Sequence, residues 1–189
     1  MSRLSSAASL LFASLILSFS AQAEVRVLTS IKPLQLIAAA VQDGIGEPEV
    51  LLPPGASPHH YALRPSDVRR VRDADLLYWI GPDMEGFLPR VLSSRDKPQV
   101  AVQDLPGMTL RHFGDSHDEH DHDQDEHDHG HGHASDELGH DHDHRPGSLD
   151  AHLWLAADNA KVIAARMAAD LAKLDTANAA RYAANLQAF

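Results

Sequence analysis

The chain has 189 residues, of which 27 are acidic and 16 are basic, so its formal net charge is −11. This acidic balance excludes a non-specific nucleic-acid binder, which needs a basic face. The lack of cysteine excludes disulfides, Cys-type zinc fingers, iron–sulfur ligation and thiol catalysis within this chain. The length suits one ordinary domain, or part of a larger protein.

The charge is concentrated in one segment. Between His112 and His144 there are 12 acidic residues, no basic residue and 11 of the 14 histidines. The remainder carries 15 acids and 16 bases and is close to neutral. The sequence therefore predicts a near-neutral globular protein with one acidic, His-rich insert.

The first 23 residues have the features of a secretory signal peptide. Arg3 gives a positive start, residues 10–19 form a short apolar segment, and Ala21-Gln22-Ala23 is a small-x-small cleavage site. The apolar segment is too short for a comfortable membrane span. We expect cleavage after Ala23 and, since no cysteine follows that could carry a lipid, a soluble protein of a Gram-negative periplasm.

The mature chain begins with a strand and a helix. Alternating β-branched residues predict a strand over 25–29. Pro33 suits the first turn of a helix that runs to about Gln42. Residues 49–52 read as a short second strand, which Pro53-Pro54-Gly55 ends in a loop. The apolar face of the helix comprises Leu34, Ile37, Ala38 and Val41.

The alternation continues to about residue 102. Ser66 is a candidate N-cap for a helix through Asp73, and residues 76–80 form an apolar run typical of a buried strand. A helix is expected over 84–92, broken or bent at Pro89, and a fourth strand over 99–102. This order predicts an α/β fold in which helices flank a four-stranded, mostly parallel sheet.

A loop over 104–148 interrupts this pattern, and two helices follow it. The first is expected over 157–174. The second starts near 175 and is still periodic at the last residue, with Tyr182, Leu186 and Phe189 on one stripe. Because no Gly or Pro stops this helix, we expect the natural chain to continue beyond it.

His59 and His60 lie in the loop after the second strand. Imidazole is the commonest metal ligand, and ligands of open parallel sheets bind beyond the carboxyl ends of the strands. Adjacent side chains of an extended segment point apart, so only one of the two is expected to bind a metal directly. Ordinary loop histidines are the alternative.

His152 lies in the segment Asp150-Ala-His-Leu-Trp-Leu155. Asp150 is placed to accept a hydrogen bond from the imidazole and so orient it towards a metal. Trp154 and Leu155 are expected to anchor the segment in the core. The alternative is a core histidine that neighbouring groups satisfy, and spacing alone leaves both readings open.

The insert itself contains ten further histidines within 28 residues. It has too little apolar surface to fold, so we expect disorder over 112–145. His-rich tracts bind metals, imidazole suits zinc, copper and nickel, and carboxylates concentrate cations. We expect many exchanging, weak sites for divalent metals rather than one cage; the alternative is a solvated acidic linker. The histidines are His117, His120, His122, His127, His129, His131, His133, His140, His142 and His144.

Four segments together carry a family resemblance. They are Val27-Leu-Thr-Ser-Ile-Lys-Pro33, the run Leu51 to Asp67 around Pro-His-His-Tyr, the run Ala74 to Glu85, and the His/Asp-rich insert placed just before Asp150-Ala-His-Leu-Trp-Leu155. In this order they resemble the zinc-binding periplasmic subunit of bacterial ABC zinc importers, the ZnuA type of the cluster A-I substrate-binding proteins. The resemblance covers the whole mature chain.

The resemblance implies two α/β lobes joined by a long helix, with the metal in the cleft between them. Residues 24–174 would form the N-terminal metal-binding lobe and residues 175–189 the start of the connecting helix, with the C-terminal lobe absent. His59 and His152 match the family's metal ligands. Many members have Glu immediately before the first histidine; Pro58 stands there in this chain, and His60 is kept as a further candidate ligand.

The implied function is non-enzymatic capture of Zn(II) in the periplasm. A monomer would deliver the ion to an inner-membrane ABC permease with its ATPase. The second lobe would complete a four-ligand shell, and binding should weaken below about pH 6 as histidine protonates. A manganese importer subunit and a free-standing metal buffer are the alternatives. A zinc hydrolase using His59, His60 and His152 lacks the His-Glu-x-x-His pattern.

Overall fold

A four-stranded parallel sheet forms the centre of the fold. The structure, a computed structural model, describes residues 24–114 and 145–189. The strands lie in the order β2-β1-β3-β4, and each neighbouring pair is parallel. This confirms the predicted α/β class. The strands are β1 (Val27–Thr29), β2 (Glu49–Val50), β3 (Leu76–Trp79) and β4 (Gln99–Ala101).

In the described part of the chain, five α-helices and three short 3-10 turns connect and cover the strands. The first, fourth and fifth helices pack against one another, and the second contacts the third. The helices are α1 (Lys32–Val41), α2 (Pro65–Asp73), α3 (Pro89–Leu92), α4 (Ala157–Leu174) and α5 (Ala179–Ala188). The 3-10 turns are Val102–Asp104, Leu153–Leu155 and Thr176–Asn178.

The core lies between the sheet and these helices. All four residues of β3 are buried, as expected for a central strand with both faces covered. The predicted apolar face of α1 is confirmed, since its four residues are all buried. The hydroxyl of Tyr78 on β3 donates to Asp170 Oδ2 on α4 at 3.1 Å, which ties the sheet to the helix that follows the insert.

The second strand is shorter than predicted, but its pairing continues. The backbone N–H groups of Leu51 and Leu52 donate to the carbonyls of Thr29 and Ser30, at 2.8 and 3.1 Å. The chain therefore follows β1 to its carboxyl end before the Pro53-Pro54-Gly55 loop begins.

Ser66 is not the N-cap of α2. A cap at Ser66 would start the helix at Asp67, but the helix begins two residues earlier, at Pro65, and Arg64 is the capping residue. Asp67 closes the cap, because its carboxylate accepts the backbone N–H of Arg64 at 2.9 Å. Proline is favoured at the first helical position, where its missing N–H has no helical acceptor, so Pro65 outcompetes the serine signal.

The helix expected over 84–92 is reduced to α3, and residues 82–88 form turns. Pro89 begins the helix because its ring is tolerated only in the first turn. The turns bring the side chain of Glu85 back over the start of this loop, where Gly81 N–H donates to Glu85 Oε2 at 3.0 Å. A continuous helix would have directed this carboxylate elsewhere.

The last helix is docked on the core. Tyr182 is 1% exposed and its hydroxyl donates to Asp175 Oδ2 at 2.9 Å. Leu186 packs against the core, whereas Phe189 is 44% exposed, so the predicted stripe is buried at its start only. Within the ranges described above, no helix combines the length and apolar character needed to cross a membrane.

Candidate metal centre

Two loops bring His59 and His152 together beyond the sheet. His59 follows β2, and His152 precedes α4; both side chains are half-buried. Their ring centroids are 5.9 Å apart and the ring planes are inclined by 57°. The structure therefore joins two residues that are far apart in the sequence and that the family resemblance paired.

This separation is close to what one bound metal ion requires. A zinc ion about 2.0–2.1 Å from one nitrogen of each ring, at a tetrahedral angle, places two imidazole centroids about 5 Å apart. The observed distance of 5.9 Å between the ring centroids is slightly longer. A small change in a side-chain torsion angle would close this difference. The pair can therefore bind one ion between its two rings.

Asp150 orients the ring of His152. Its Oδ1 lies 2.7 Å from Nδ1 of the imidazole and 3.1 Å from the backbone N–H of the same residue. An ionised carboxylate only accepts hydrogen bonds, so Nδ1 carries the proton and Nε2 keeps its lone pair for a metal. The pattern Asp-x-His thus encodes both the tautomer and the orientation.

The segment around His152 is anchored differently from the prediction. Leu153 is 4% exposed and enters the core, whereas Leu155 is 75% exposed. Trp154 is half-buried and meets the ring of His152 edge-on, with centroids 5.4 Å apart. The 3-10 turn explains this exchange, because its tight winding places Leu153 inward and Leu155 outward.

His60 has a different environment from His59. It is exposed, and its ring centroid lies 6.4 Å from that of His59 at an inclination of 52°. The separation alone would allow a shared ion. The difference in burial favours His59, because a half-buried imidazole loses fewer conformations when it binds a metal.

Over residues 24–114 and 145–189, no three His, Cys, Asp or Glu side chains are grouped closely enough to hold a metal ion. The described site is thus a pair of histidines with one orienting carboxylate. The ten insert histidines, His117 to His144, and the predicted signal segment, 1–23, lie outside the described residues.

An antiparallel neck connects the insert to this site. His112 bridges Leu149, and Phe113 N–H donates to the carbonyl of Ser148 at 2.9 Å. The backbone N–H of Asp150 donates to the carbonyl of Arg111 at 2.8 Å. The predicted insert boundaries, 112–145, therefore include residues that form the neck, and the neck leads directly into Asp150 and His152.

The loop that carries His59 rests on an aromatic contact. The ring of Tyr61 meets Phe87 edge-on at 5.7 Å, and its hydroxyl donates to Asp67 Oδ2 at 3.0 Å. Asp67 is buried at the start of α2. Three segments that are separate in sequence thus fix the course of the chain just after His59.

Glu85 is a buried acid that connects the loop after β3 to the end of β1. It is fully buried, and Ser30 Oγ at the end of β1 donates a hydrogen bond to its Oε1. Burial raises the pKa of this carboxyl to about 7, against the lowering effect of hydrogen bonds from Ser30 and Gly81. Sequence reasoning missed Glu85 because nothing local indicates that an acid after Gly-Pro-Asp-Met turns inward.

Asn159 is a second buried polar residue that sequence reasoning missed. It lies in the first turn of α4 and is 1% exposed. Its amide hydrogen-bonds with the backbone of Thr109 and with the carbonyl of Leu153. A cavity of about 160 Å³ between these segments is lined partly by Asp150, His152 and Asn159. The only sequence signal was a polar residue in the first turn of a helix.

Known proteins match this sequence over most of its length. Residues 27–189 match the family model "Zinc-uptake complex component A periplasmic" (ZnuA). The chain is 44% identical over 178 residues to the high-affinity zinc uptake system protein ZnuA of Yersinia pestis, covering 88% of this chain and 52% of that protein. It is 36% identical over 177 residues to the protein of that name from Brucella abortus (strain 2308), covering 86% and 53%.

A solved structure shares the fold. The Mn-bound periplasmic metal binding protein from Candidatus Liberibacter asiaticus superposes with a TM-score of 0.62 at 17% identity, over 85% of this chain and 50% of that one. The chain thus spans about half the length of the curated relatives it matches. Because the family model matches residues 27–189, the chain belongs to the ZnuA family of periplasmic zinc-uptake components.

Proposed function

We propose that this chain is the zinc-capturing part of a periplasmic ABC-importer component, and that His59 and His152 are two of its zinc ligands. The main support is that the half-buried rings of His59 and His152 lie 5.9 Å apart and that Asp150 orients the ring of His152. The relatives with 44% and 36% identity are named high-affinity zinc uptake proteins, which supports Zn(II) as the cargo.

Two imidazoles leave zinc under-coordinated, since it usually takes four ligands. In this proposal, the other ligands come from the second lobe that the family resemblance implies, and the ion closes the cleft between the lobes. Binding by few ligands on each side allows release when the lobes separate. Such reversible capture suits a carrier and not an enzyme.

The insert has an accessory role in this proposal. Its histidines and carboxylates hold zinc weakly and raise its concentration beside the cleft. The neck fixes the place from which the insert leaves the fold, because Arg111 pairs with Asp150 two residues before His152. The two ends of the insert therefore lie close to the proposed ligands.

The partners follow from the cargo. An ion confined to the periplasm needs a permease to cross the inner membrane and an ATPase to drive uptake. We propose that the protein is exported by cleavage after Ala23, acts as a monomer and delivers zinc to such a permease.

Zinc titration of single variants tests the ligand assignment. With residues 115–144 replaced by a short Gly-Ser linker, His59→Ala and His152→Ala should each weaken zinc binding by at least about tenfold, because each removes a ligand. His60→Ala is the matched neighbour and should change the affinity by less than about threefold. An equal loss for His60→Ala and His59→Ala would overturn the assignment.

The same titration separates zinc from manganese. Imidazole ligands favour zinc in the order of divalent-metal affinities, whereas manganese prefers carboxylate oxygen. Zinc should therefore displace manganese from the pair at equimolar concentration. Manganese binding that equals or exceeds zinc binding would contradict zinc as the cargo.

A further inference from the structure

Asn159 lies between two features that the proposed function treats separately. One is the turn that carries His152, and the other is the chain leading into the neck of the insert. Its side chain reaches both: Oδ1 accepts the backbone N–H of Thr109 at 2.7 Å, and Nδ2 donates to the carbonyls of Thr109 at 2.9 Å and Leu153 at 3.0 Å. These contacts occupy the amide's acceptor and both of its donor hydrogens.

The three hydrogen bonds of the Asn159 side chain form a clamp between two segments, at Thr109 and at Leu153, that are far apart in the sequence. Thr109 is 50 residues from Asn159, on the other side of the insert. Leu153 directly follows His152 and is the first residue of the 3-10 turn. Asn159 belongs to the first turn of an 18-residue helix. Its hydrogen bonds therefore attach both segments to the same rigid element, α4.

Because Asn159 is buried, its hydrogen bonds stabilise only one arrangement of the His152 turn relative to α4. Asn159 is 1% exposed, so water cannot replace the protein partners of its amide. Any movement of the His152 turn away from α4 would leave a buried donor unsatisfied, at a cost of about 1–3 kcal/mol. The ring of His152 therefore has a fixed point of attachment in addition to its bond with Asp150.

We propose that Asn159 is a positioning residue for zinc binding, whose side-chain amide holds the His152 turn and the approach to the insert neck in one fixed arrangement. This inference rests on the proposed function, because it requires His152 to be a zinc ligand. Asn159 does not touch the ion; it preserves the ring position that the ion needs.

Two variants divide the clamp into its parts. Asn159→Ala removes all three hydrogen bonds. Asn159→Asp keeps an acceptor for the N–H of Thr109 but replaces the donor by an oxygen, so it breaks the hydrogen bonds to the carbonyls of Thr109 and Leu153 and keeps the third. If the arrangement matters, both variants should weaken zinc binding, and the second cannot be explained by lost packing volume.

Tyr182→Phe is the matched control. It also removes one buried hydrogen bond, to Asp175, but at the far end of α4. Sixteen residues of helix separate Asp175 from Asn159, which is about 24 Å at 1.5 Å per residue. This variant therefore reports what a loss of stability alone does to the site.

The experiment uses the intact chain with ¹⁵N-labelled histidine and asparagine. Zinc ions are titrated in, and binding is read from the ring nitrogens of His152, identified by comparison with His152→Gln. Ions held by the insert then do not enter the reading. Both Asn159 variants should need about tenfold or more zinc for half-saturation, whereas Tyr182→Phe should stay within about twofold of the wild type.

If a variant fails to fold, a measurement on the wild-type chain still tests the inference. Zinc binding at His152 should shift the side-chain amide signals of Asn159, because that amide donates to the carbonyl of Leu153, the residue that follows His152. Unmoved amide signals at saturation, or folded Asn159 variants within twofold of the wild type, would overturn the inference alone. If zinc leaves the wild-type rings of His59 and His152 unchanged, the proposed function fails and this inference fails with it.

Discussion

Asp150 accepts two hydrogen bonds from His152, one from the ring Nδ1 at 2.7 Å and one from the backbone N–H at 3.1 Å. One carboxylate thus fixes both the rotation of the imidazole and its tautomer. The neighbouring backbone N–H of Asp150 is itself held by the carbonyl of Arg111. The ring nitrogen that the proposed function assigns to zinc, Nε2, is therefore oriented by the fold itself.

Asp150→Ala should lower zinc affinity at the pair by about 10–100-fold, because partners that orient a ligating histidine contribute that much to metal binding. Asp158→Ala is the control, since Asp158 is 89% exposed and pairs only at the surface, with Lys161. Competition titration against a chelator of known affinity measures both. Similar affinities for the two variants would show that the carboxylate does not prepare the ring.

Removing residues 115–144 should lower the number of zinc ions bound and leave the affinity at His59 and His152 within about twofold. The reason is that the neck closes itself with backbone bonds, such as that between Phe113 and Ser148, which the deletion spares. Counting bound zinc by calorimetry while following the two rings by NMR separates the quantities. An affinity loss at the rings would place the insert within the primary site.

The sequence predicts the parts of this site that depend on neighbouring residues. It does not predict the parts that depend on residues far away in the chain. Asp150 and His152 are paired correctly from the sequence because only one residue separates them and this spacing sets their geometry. Glu85 and Asn159 were missed because their partners, Ser30 and Thr109, are 55 and 50 residues away. No local pattern distinguishes a buried acid or amide from a solvated one; only the packing of the sheet decides.

The errors in the predicted elements have a similar origin. The strands and α4 were predicted well, since continuous apolar patterns determine them. The sequence predicts Leu155 inside, whereas Leu153 is the buried residue, because the 3-10 turn after His152 has a period that a helical or strand pattern does not reveal. The ends of the elements near the site were therefore the least predictable part of the fold.

Gly81→Ala should lower the free energy of unfolding by at least about 2 kcal/mol. Gly81 has a φ of +147°, and an added Cβ would lie 1.8 Å from Oε1 of Gln103. Gly86→Ala is the control in the same loop, because its nearest neighbour would be the Pro82 carbonyl at 3.9 Å. Its effect should stay within about 0.5 kcal/mol. Equal urea midpoints for the two variants would contradict this account of the turn.

Glu85 should make the stability of the fold depend on pH between about 4.5 and 8. Burial raises the pKa of its carboxyl from 4.5 to about 7 in the folded chain, so the folded state binds this proton more tightly than the unfolded state does. The resulting stabilisation is complete below pH 4.5 and is lost as the pH rises through 7.

Glu85→Gln tests this dependence because the amide is neutral at every pH and can still accept from Gly81 N–H. The wild type should lose up to about 3 kcal/mol relative to the variant as the pH rises from 4.5 to 8. Urea unfolding at intervals across this range measures the difference. Glu47→Gln, at an exposed glutamate, should run parallel to the wild type. Since the hydroxyl of Ser30 joins Glu85 to the end of β1, parallel curves for wild type and Glu85→Gln would mean that burial at this position does not raise the pKa of the carboxyl.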